Sequence, residues 1–201
     1  MNYFYVLHYY RMPYYFSFKI GNEIVYRTQV QSLQCADHTK AGARCKRRCV
    51  IGSPYCATHL AYQHHLKIKP SNIPNSGKGL FAWNPMSSNQ NEIVFRKNET
   101  ICAYKGEIIN EEELIERYGD KTAPYAVSIS RDRYEDAGKI RGICALANTN
   151  PGHKNTTLSI YRGHASLKAT KNIHNREEIY LSYGREYRLN EPGVEYATTI
   201  K

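Results

Sequence analysis

Alternating apolar and polar residues near the start of the chain predict β-strands. The runs 14–20 and 23–28 are rich in aromatic and β-branched residues, and Gly21-Asn22 lies between them. Two such runs separated by two turn-forming residues are typical of a β-hairpin. We therefore predict an aromatic hairpin in the segment 1–31, whose tyrosines pack between half-buried strands.

The same alternation returns in the second half of the chain, after one helix signal. Asn110 precedes three consecutive glutamates, which suit the positive end of a helix dipole, so we predict a helix from Asn110. Residues 124–129 alternate like a half-buried strand. Residues 179–181 form a short strand pattern in front of a Ser-Tyr-Gly turn, which places the phenol of Tyr183 where the chain bends back.

The composition is that of a globular protein that does not enter a membrane. Hydrophobic residues make up 41% of the 201 residues, and no apolar run reaches the roughly 18 residues that a membrane helix needs. Residues 1–15 lack the basic start of a secretory signal. We expect an intracellular protein, nuclear or cytoplasmic, whose six cysteines remain thiols or bind metal.

The positive charge is concentrated in the first third of the chain. The formal net charge is +10, of which residues 1–70 carry +8, with ten Lys/Arg and two Asp/Glu. Such asymmetry indicates contact with nucleic acid or another polyanion, or else a solvated basic face. The run Arg44, Lys46, Arg47 and Arg48 makes the segment around it the candidate nucleic-acid contact. A structural or protein-docking role of that segment is an equal alternative.

Residues 35–59 concentrate cysteine and histidine in a segment with few large apolar residues. Cys56 and His59 have the spacing at which one turn presents two ligands to a tetrahedral ion. A segment this poor in apolar residues needs a metal to fold. It resembles small cysteine-rich zinc modules, and the resemblance implies the ligands Cys35, Cys45, Cys56 and His59. Cys49 is then surplus, although the spacing alone leaves it as an alternative to Cys45.

Several motifs after residue 70 occur in an order that resembles the SET-domain protein lysine methyltransferases. The first is Gly77-Lys-Gly-Leu-Phe-Ala, the second is Tyr104-Lys-Gly-Glu-Ile-Ile, and Tyr134-Glu-Asp-Ala and Asn148-Thr-Asn follow. Glu177-Glu-Ile-Tyr-Leu-Ser-Tyr closes the series. The resemblance covers residues 70–187, and it rests on the order and spacing of these motifs.

The resemblance implies a mainly β fold. We expect a SET-domain fold of several small sheets and few helices, with a knot-like threading of the C-terminal segment, preceded by a small zinc-binding module. The expected division is an aromatic hairpin segment at 1–31, the zinc module at 32–66, the SET domain at 67–187 and a C-terminal tail at 188–201.

The resemblance also implies the site residues of a lysine methyltransferase. Tyr183 matches the catalytic tyrosine, and Tyr125 matches the wall of the channel that admits the target lysine. Leu181 stands at the family's aromatic position that tunes the number of methyl groups. The positions matched to contacts with S-adenosylmethionine are Gly77, Lys78, Gly79, Phe81, Asn148, Thr149 and Tyr187.

Three positions depart from the family pattern. Thr149 replaces a histidine whose contribution is mainly backbone hydrogen bonds, which any residue can make. Arg176 stands where a glycine is usual. The tail from Arg188 to Lys201 has no cysteines, so we expect no zinc-binding segment of the kind that follows the SET domain in part of the family. Tyr187 or the tail to Lys201 are the candidates for covering the cofactor cleft.

The activity implied is transfer of a methyl group from S-adenosylmethionine to a lysine of another protein, with a histone tail as the expected substrate. Two alternatives remain open. One is a catalytically silent SET-like module that binds nucleic acid or chromatin, for which Thr149 is the main support. The other is a methyltransferase of a non-histone protein, which the residues do not distinguish from a histone enzyme.

Overall fold

The computed structural model of the protein describes residues 14–31, 33–50, 53–183 and 192–200, in which short strands dominate. In chain order the strands are β1 (Tyr14–Ile20), β2 (Glu23–Gln29), β3 (Leu66–Pro70), β4 (Lys78–Ala82), β5 (Ile93–Phe95), β6 (Thr100–Ala103), β7 (Glu107–Ile109), β8 (Ala126–Ser130), β9 (Arg133–Asp136), β10 (Asn148–Thr149), β11 (Thr156–Tyr161), β12 (His164–Ala169), β13 (Ile173–His174), β14 (Tyr180–Leu181) and β15 (Val194–Ile200). The helices are α1 (Ala57–Tyr62), α2 (Glu111–Tyr118) and one 3-10 turn (Ile143–Leu146).

The strands form several small sheets of two or three strands each. The sheet orders are β15-β1-β2, β3-β4, β5-β13, β6-β12-β11, β7-β9-β8 and β10-β14. All pairings are antiparallel except β10 with β14. A mainly β fold made of several small sheets is therefore confirmed.

The predicted hairpin at the start of the chain is present. Strands β1 and β2 pair through a turn at Gly21-Asn22, where Gly21 has a φ of +59°. Strand β15, in the segment expected to be a C-terminal tail, pairs with the other edge of β1 from Tyr14 opposite Ile200 to Ile20 opposite Val194. The start and the end of the described chain are thus joined in one sheet.

This three-stranded sheet packs directly on the following part of the chain. Phe16 and Phe18 are fully buried. The Phe18 ring meets Tyr118 of α2 edge-on at a centroid distance of 5.1 Å, and the Phe16 ring meets Tyr125 in the same way at 5.4 Å. Aromatic pairs favour this geometry because ring edges and faces carry opposite partial charge. The hairpin therefore shares a core with the segment predicted as the SET domain.

Helix α2 begins as the sequence predicted. Asn110 accepts a hydrogen bond from the backbone N–H of Glu113, and the Glu113 side chain accepts one from the backbone N–H of Asn110. This capping box satisfies two backbone donors that the first turn leaves unpaired. The three glutamates of that turn are exposed. Within the described ranges, neither this helix nor α1 has the length and apolar character needed to cross a membrane.

The main core lies between the small sheets and the C-terminal segment. Its fully buried members include Leu80, Leu167, Ile173 and Ile179. Three cysteines of the cysteine-rich segment form a separate small cluster, with Tyr55 packed against it: Cys35, Cys45 and Cys56. That cluster has almost no aliphatic side chains, which agrees with a module that depends on metal for stability.

The C-terminal segment runs inside the molecule between two earlier parts of the chain. Strand β14 pairs in parallel with β10 on one side, while Phe81 of β4 bridges Glu178 on the other. Asn155 clamps the segment by donating to the Glu178 carbonyl at 2.9 Å and accepting from the Tyr180 N–H at 2.8 Å. This enclosed course agrees with the threading expected of the SET fold.

Candidate functional site

Four side chains in the cysteine-rich segment are placed to bind one metal ion. The ligand atoms of Cys35, Cys45, Cys56 and His59 all lie within 4.8 Å of one another. The Cys35 Sγ and His59 Nδ1 atoms are 3.3 Å apart, close to the roughly 3.5 Å expected between sulfur and nitrogen in a tetrahedral zinc site. The four predicted ligands therefore come together, with a donor set that fits Zn²⁺.

Backbone groups donate hydrogen bonds to two sulfur atoms of this cluster. The Cys56 N–H donates to the Cys35 sulfur at 3.2 Å, and the Arg47 N–H donates to the Cys45 sulfur at 3.4 Å. Burial raises the pKa of the Cys35 thiol, and the hydrogen bond from Cys56 acts in the opposite direction. Cys49 is buried but does not belong to the cluster, and burial raises the pKa of its thiol to about 11. The structure thus favours Cys45 over Cys49 as the ligand.

The segment Gly77 to Ala82, called the glycine segment below, lies against the side chains of Glu178 and Asn148. We call this contact the junction. A Cβ atom at Gly79 would stand 2.1 Å from the Glu178 Oε1 atom and 3.1 Å from the Asn148 Nδ2 atom. Gly77 has a φ of +65° and open space on its Cβ side. Only glycine at position 79 leaves room for Glu178 and Asn148 to approach the backbone so closely. The backbone is therefore covered by these side chains at Gly79 and uncovered at Gly77.

Glu178 organises this junction, and the sequence predictions missed it. Its carboxylate is 1% exposed. It accepts hydrogen bonds from the Ser71 hydroxyl at 2.7 Å, the Asn72 N–H at 2.7 Å, the Tyr180 hydroxyl at 2.8 Å and the Asn148 amide at 3.2 Å. A buried carboxylate is stable only when its oxygens are satisfied in this way. The available signal was an acidic residue directly in front of the apolar run 179–181.

The Asn148 amide is oriented by two acceptors. Its Nδ2 atom donates to the Lys78 carbonyl at 3.1 Å and to Glu178. Both partners can only accept, so the nitrogen of the amide must face them. Tyr180, which shares Glu178, has a pKa raised to about 12 by burial and by the neighbouring carboxylate. It therefore remains a hydrogen-bond donor at neutral pH.

We predict that Gly79→Ala disrupts this junction. The new methyl group would displace the Glu178 carboxylate, whose other hydrogen bonds would then be lost or strained. Thermal unfolding should show a free energy of unfolding lower by about 1–3 kcal/mol or more, since leaving a buried polar group unpaired costs that much. Gly152→Ala is the matched control, because Gly152 is exposed and its Cβ would approach only Asn150 Oδ1, at 4.0 Å. An unchanged stability of Gly79→Ala would contradict the prediction.

Tyr183 contacts the residue that precedes Asn148 in the chain. Its hydroxyl donates to the Ala147 carbonyl at 2.9 Å, and Ala147 directly precedes Asn148. The phenol borders a small cavity of about 40 Å³. The cavity is lined by apolar residues and two tyrosines: Tyr104, Pro124, Ala126, Val127, Cys144, Ala145, Ala147, Leu158, Leu181 and Tyr183. The glycine segment does not border this cavity and is connected to it through Ala147 and Asn148.

Tyr104 is a second phenol of this cavity that the sequence predictions did not single out. It is 5% exposed, and its hydroxyl donates to the Tyr125 carbonyl at 3.0 Å. Burial, with the nearby Tyr183 phenol, raises its pKa well above the ordinary tyrosine value. Among the described residues, the lining of this cavity includes no side chain of Lys, Arg, Asp or Glu.

Tyr125 lies in the wall behind this cavity. Its neighbours Pro124 and Ala126 line the cavity, while its ring packs on Phe16 and under the Arg141 guanidinium, 4.2 Å from the ring centre. Its carbonyl also accepts from the Ala137 N–H at 2.9 Å. The expected role of Tyr125 as a channel residue stays a prediction.

The remaining predicted cofactor residues are distributed around the junction. Thr149 pairs with Leu181 in the parallel β10-β14 ladder. Lys78 is exposed, whereas Phe81 is fully buried with the Lys69 ammonium 4.0 Å from its ring centre. Tyr187 lies outside the described residues. Cofactor contacts of these residues stay predictions.

Comparison with known proteins supports the fold. No protein-family model and no curated protein matches the sequence. Among 220 matching chains of solved structures is one from a humanized mutant of the Chaetomium thermophilum Polycomb Repressive Complex 2 bound to the inhibitor GSK126. The TM-score is 0.50 at 20% identity, over 61% of this chain and 15% of the other. The likeness is one of fold, and it supports the SET-type arrangement of several small sheets; this chain spans a small part of the matched chain's length.

Proposed function

We propose that this protein is a methyltransferase that modifies a lysine of another protein, with S-adenosylmethionine as methyl donor. The observation that carries the proposal is the junction at Ala147-Asn148. There, the Asn148 amide bonds to the glycine segment at Lys78, and the Ala147 carbonyl accepts from Tyr183. A candidate cofactor segment and a candidate catalytic phenol are thus separated by one peptide unit.

The residues at the junction fit a bound S-adenosylmethionine. Gly77 is open on its Cβ side, which permits close approach of a ligand to the backbone. The Asn148 amide nitrogen is held by Lys78 and Glu178, so its carbonyl oxygen is left to accept from an ammonium group. Thr149 would contribute backbone groups. When bound, S-adenosylmethionine supplies a methyl group on a positively charged sulfur.

The cavity beside Tyr183 suits the lysine side chain. Its lining is apolar apart from the phenols and backbone, which favours the uncharged amine because burial disfavours an ammonium ion. The neutral amine is the form that can attack a methyl carbon. The narrow lining fixes the direction of approach, and the Tyr183 oxygen can accept weak C–H hydrogen bonds from a methyl group.

We propose Zn²⁺ as the ion of the cysteine cluster, with a structural role. Three cysteines and one histidine close a tetrahedral site without an open position. Such sites stabilise folds, whereas catalytic zinc sites keep one position for water or substrate. The metal would therefore hold the module together and take no part in methyl transfer.

A histone tail is the substrate we propose first. The structurally similar chain belongs to a Polycomb Repressive Complex 2, and the family resemblance implies a histone. The exposed glutamates Glu111, Glu112 and Glu113 offer negative charge to a basic tail on an otherwise cationic protein. A non-histone protein with a basic segment around its lysine is the alternative substrate, in the nucleus or the cytoplasm.

We predict that the product carries more than one methyl group. Leu181 lines the cavity and is 3% exposed, and an apolar side chain does not anchor a water molecule beside the amine. Mass spectrometry of the modified substrate should show two or three added methyl groups. Leu181→Tyr, which adds a hydroxyl at the same place, should shift the product toward one methyl group. A single methyl group from the unchanged protein would contradict this prediction.

The proposed function is tested by incubating the protein with labelled S-adenosylmethionine and a panel of histones. We expect label on one histone lysine, located by mass spectrometry. A calorimetric titration of S-adenosylmethionine is run in parallel. No binding of S-adenosylmethionine and no label would favour a silent SET-like binding module, whereas binding without label on histones would favour a non-histone substrate.

A further inference from the structure

A second concave surface lies between the cysteine-rich module and the β3-β4 hairpin, away from Tyr183. This groove has a volume of about 370 Å³. Its lining is mainly apolar: Val50, Ala57, Thr58, Leu60, Ala61, Tyr62, Lys67, Ile68, Trp83 and Pro85. No residue of this lining belongs to the cavity beside Tyr183. The groove is large enough to receive one or two apolar side chains of a partner.

Positive groups surround the only tryptophan of the chain at this groove. The Lys67 ammonium lies 3.8 Å from the Trp83 ring centre, with the Arg176 guanidinium at 5.5 Å and the Lys69 ammonium at 5.9 Å. Across the described ranges, no carboxylate forms an ion pair with any of these three groups. Of these three cations Lys67 lines the groove, whereas Arg176 and Lys69 adjoin it through their contact with Trp83. We call the three cations the rim of the groove, whose floor is apolar.

The opposite wall adds charge of the same sign. Arg47 donates a hydrogen bond to Thr58, which lines the groove on α1. Lys46 and Arg48, on either side of Arg47 in the sequence, are exposed. A partner that enters the groove meets positive charge from both walls, which favours an acidic partner.

We infer that this groove binds an acidic peptide segment that inserts an apolar side chain. The aliphatic floor of Leu60, Ile68 and Pro85 is complementary to a leucine-like anchor. The rim is complementary to glutamate or aspartate on either side of that anchor. Single-stranded nucleic acid fits less well, because bases bind by stacking on free aromatic faces, and cations already lie over the Trp83 ring.

The cluster of candidate zinc ligands supports one wall of this groove. Helix α1 contributes Ala57, Thr58, Leu60 and Ala61 to the lining, and the same helix carries the candidate ligand His59. The position of α1 against β3 thus depends on the cluster. The cysteine-rich module acquires a second role as half of a peptide-docking surface, independent of the proposed methyl transfer.

The test uses the chain of residues 1–201 without S-adenosylmethionine, so its result does not depend on catalysis. The probe is a fluorescein-labelled peptide of about ten residues, with two leucines flanked by glutamates. Fluorescence anisotropy should show saturable binding. A peptide with alanines in place of the leucines should bind about tenfold more weakly. A peptide with lysines in place of the glutamates should not bind.

Two variants, each with a matched control, test whether the peptide binds in the groove. Lys67→Glu reverses one rim charge, and Ala61→Glu places a carboxylate in the α1 wall of the groove. Each should lower the affinity for the leucine–glutamate peptide at least about fivefold. Lys40→Glu and Ala41→Glu make the same changes at exposed positions of the same module that do not line the groove, and should leave affinity within about twofold.

Three results would overturn the inference. They are equal binding of the leucine and alanine peptides, equal effects of the variants and their controls, and tighter binding of an oligothymidylate that displaces the peptide. The last result would assign the groove to nucleic acid. Zinc content measured for every variant confirms that the module remains folded.

Discussion

Tyr183→Phe should reduce methyl transfer by about 10²-fold or more while S-adenosylmethionine still binds within about threefold of the unchanged affinity. The substitution removes one oxygen and keeps the ring. The lost hydroxyl donates to the Ala147 carbonyl, at the peptide unit that leads into Asn148. The same oxygen is the polar atom of the Tyr183 side chain, which lines the cavity proposed to hold the lysine amine. The loss should therefore fall on the transfer step.

Steady-state transfer of label to the identified substrate measures the first quantity, and calorimetric titration measures the second. Tyr161→Phe is the matched control, because it makes the same chemical change at a side chain that is 68% exposed. The control should retain full activity. Equal turnover by Tyr183→Phe and the unchanged protein would remove Tyr183 from the catalytic role, even if the protein proved to be a methyltransferase.

Cys45→Ser should abolish stoichiometric zinc binding. Cys45 is one of the four clustered ligands, and serine is a poor zinc ligand at neutral pH. We expect the zinc affinity to fall by more than about 10²-fold, since even changes to groups that only support a ligand commonly cost 10- to 100-fold. The cluster has little apolar surface around it, so the module should lose its ordered structure together with the metal.

Cys49→Ser supplies the control for this prediction. Cys49 is also a buried cysteine of the same module, but it lies outside the cluster, and burial raises its pKa to about 11. Elemental analysis of the purified proteins should find one zinc per chain in Cys49→Ser and none in Cys45→Ser. The reverse result would make Cys49 the ligand and would contradict the arrangement of the cluster.

Local patterns predicted much of the fold correctly. The Gly21-Asn22 turn and its flanking alternation specified the first hairpin, and Asn110 with Glu113 specified the start of α2. These elements depend on interactions between residues close in sequence, which a single sequence displays. The mainly β fold followed from a resemblance carried by several motifs together, with no single motif sufficient.

Other features depend on contacts between distant residues and left little signal in the sequence. Glu178 looked like one of two neighbouring acidic residues, yet its bonds to Ser71 and Asn72 cross more than one hundred positions of the chain. The groove at Trp83 exists because β3 and α1 pack together. Pairing of β15 with β1 joins the two ends of the described chain, and no local pattern indicates such a partner.

The sheet that joins β1, β2 and β15 bears on how short a fragment of this chain could keep the proposed activity. A protein trimmed to residues 67–187 would keep every candidate catalytic side chain. It would nevertheless lose Phe16, which supports the ring of Tyr125, and would leave the Tyr118 face of α2 without its aromatic cover. A fragment that keeps the packing around Tyr125 and Tyr118 therefore extends beyond the motifs to strands from both ends of the described chain.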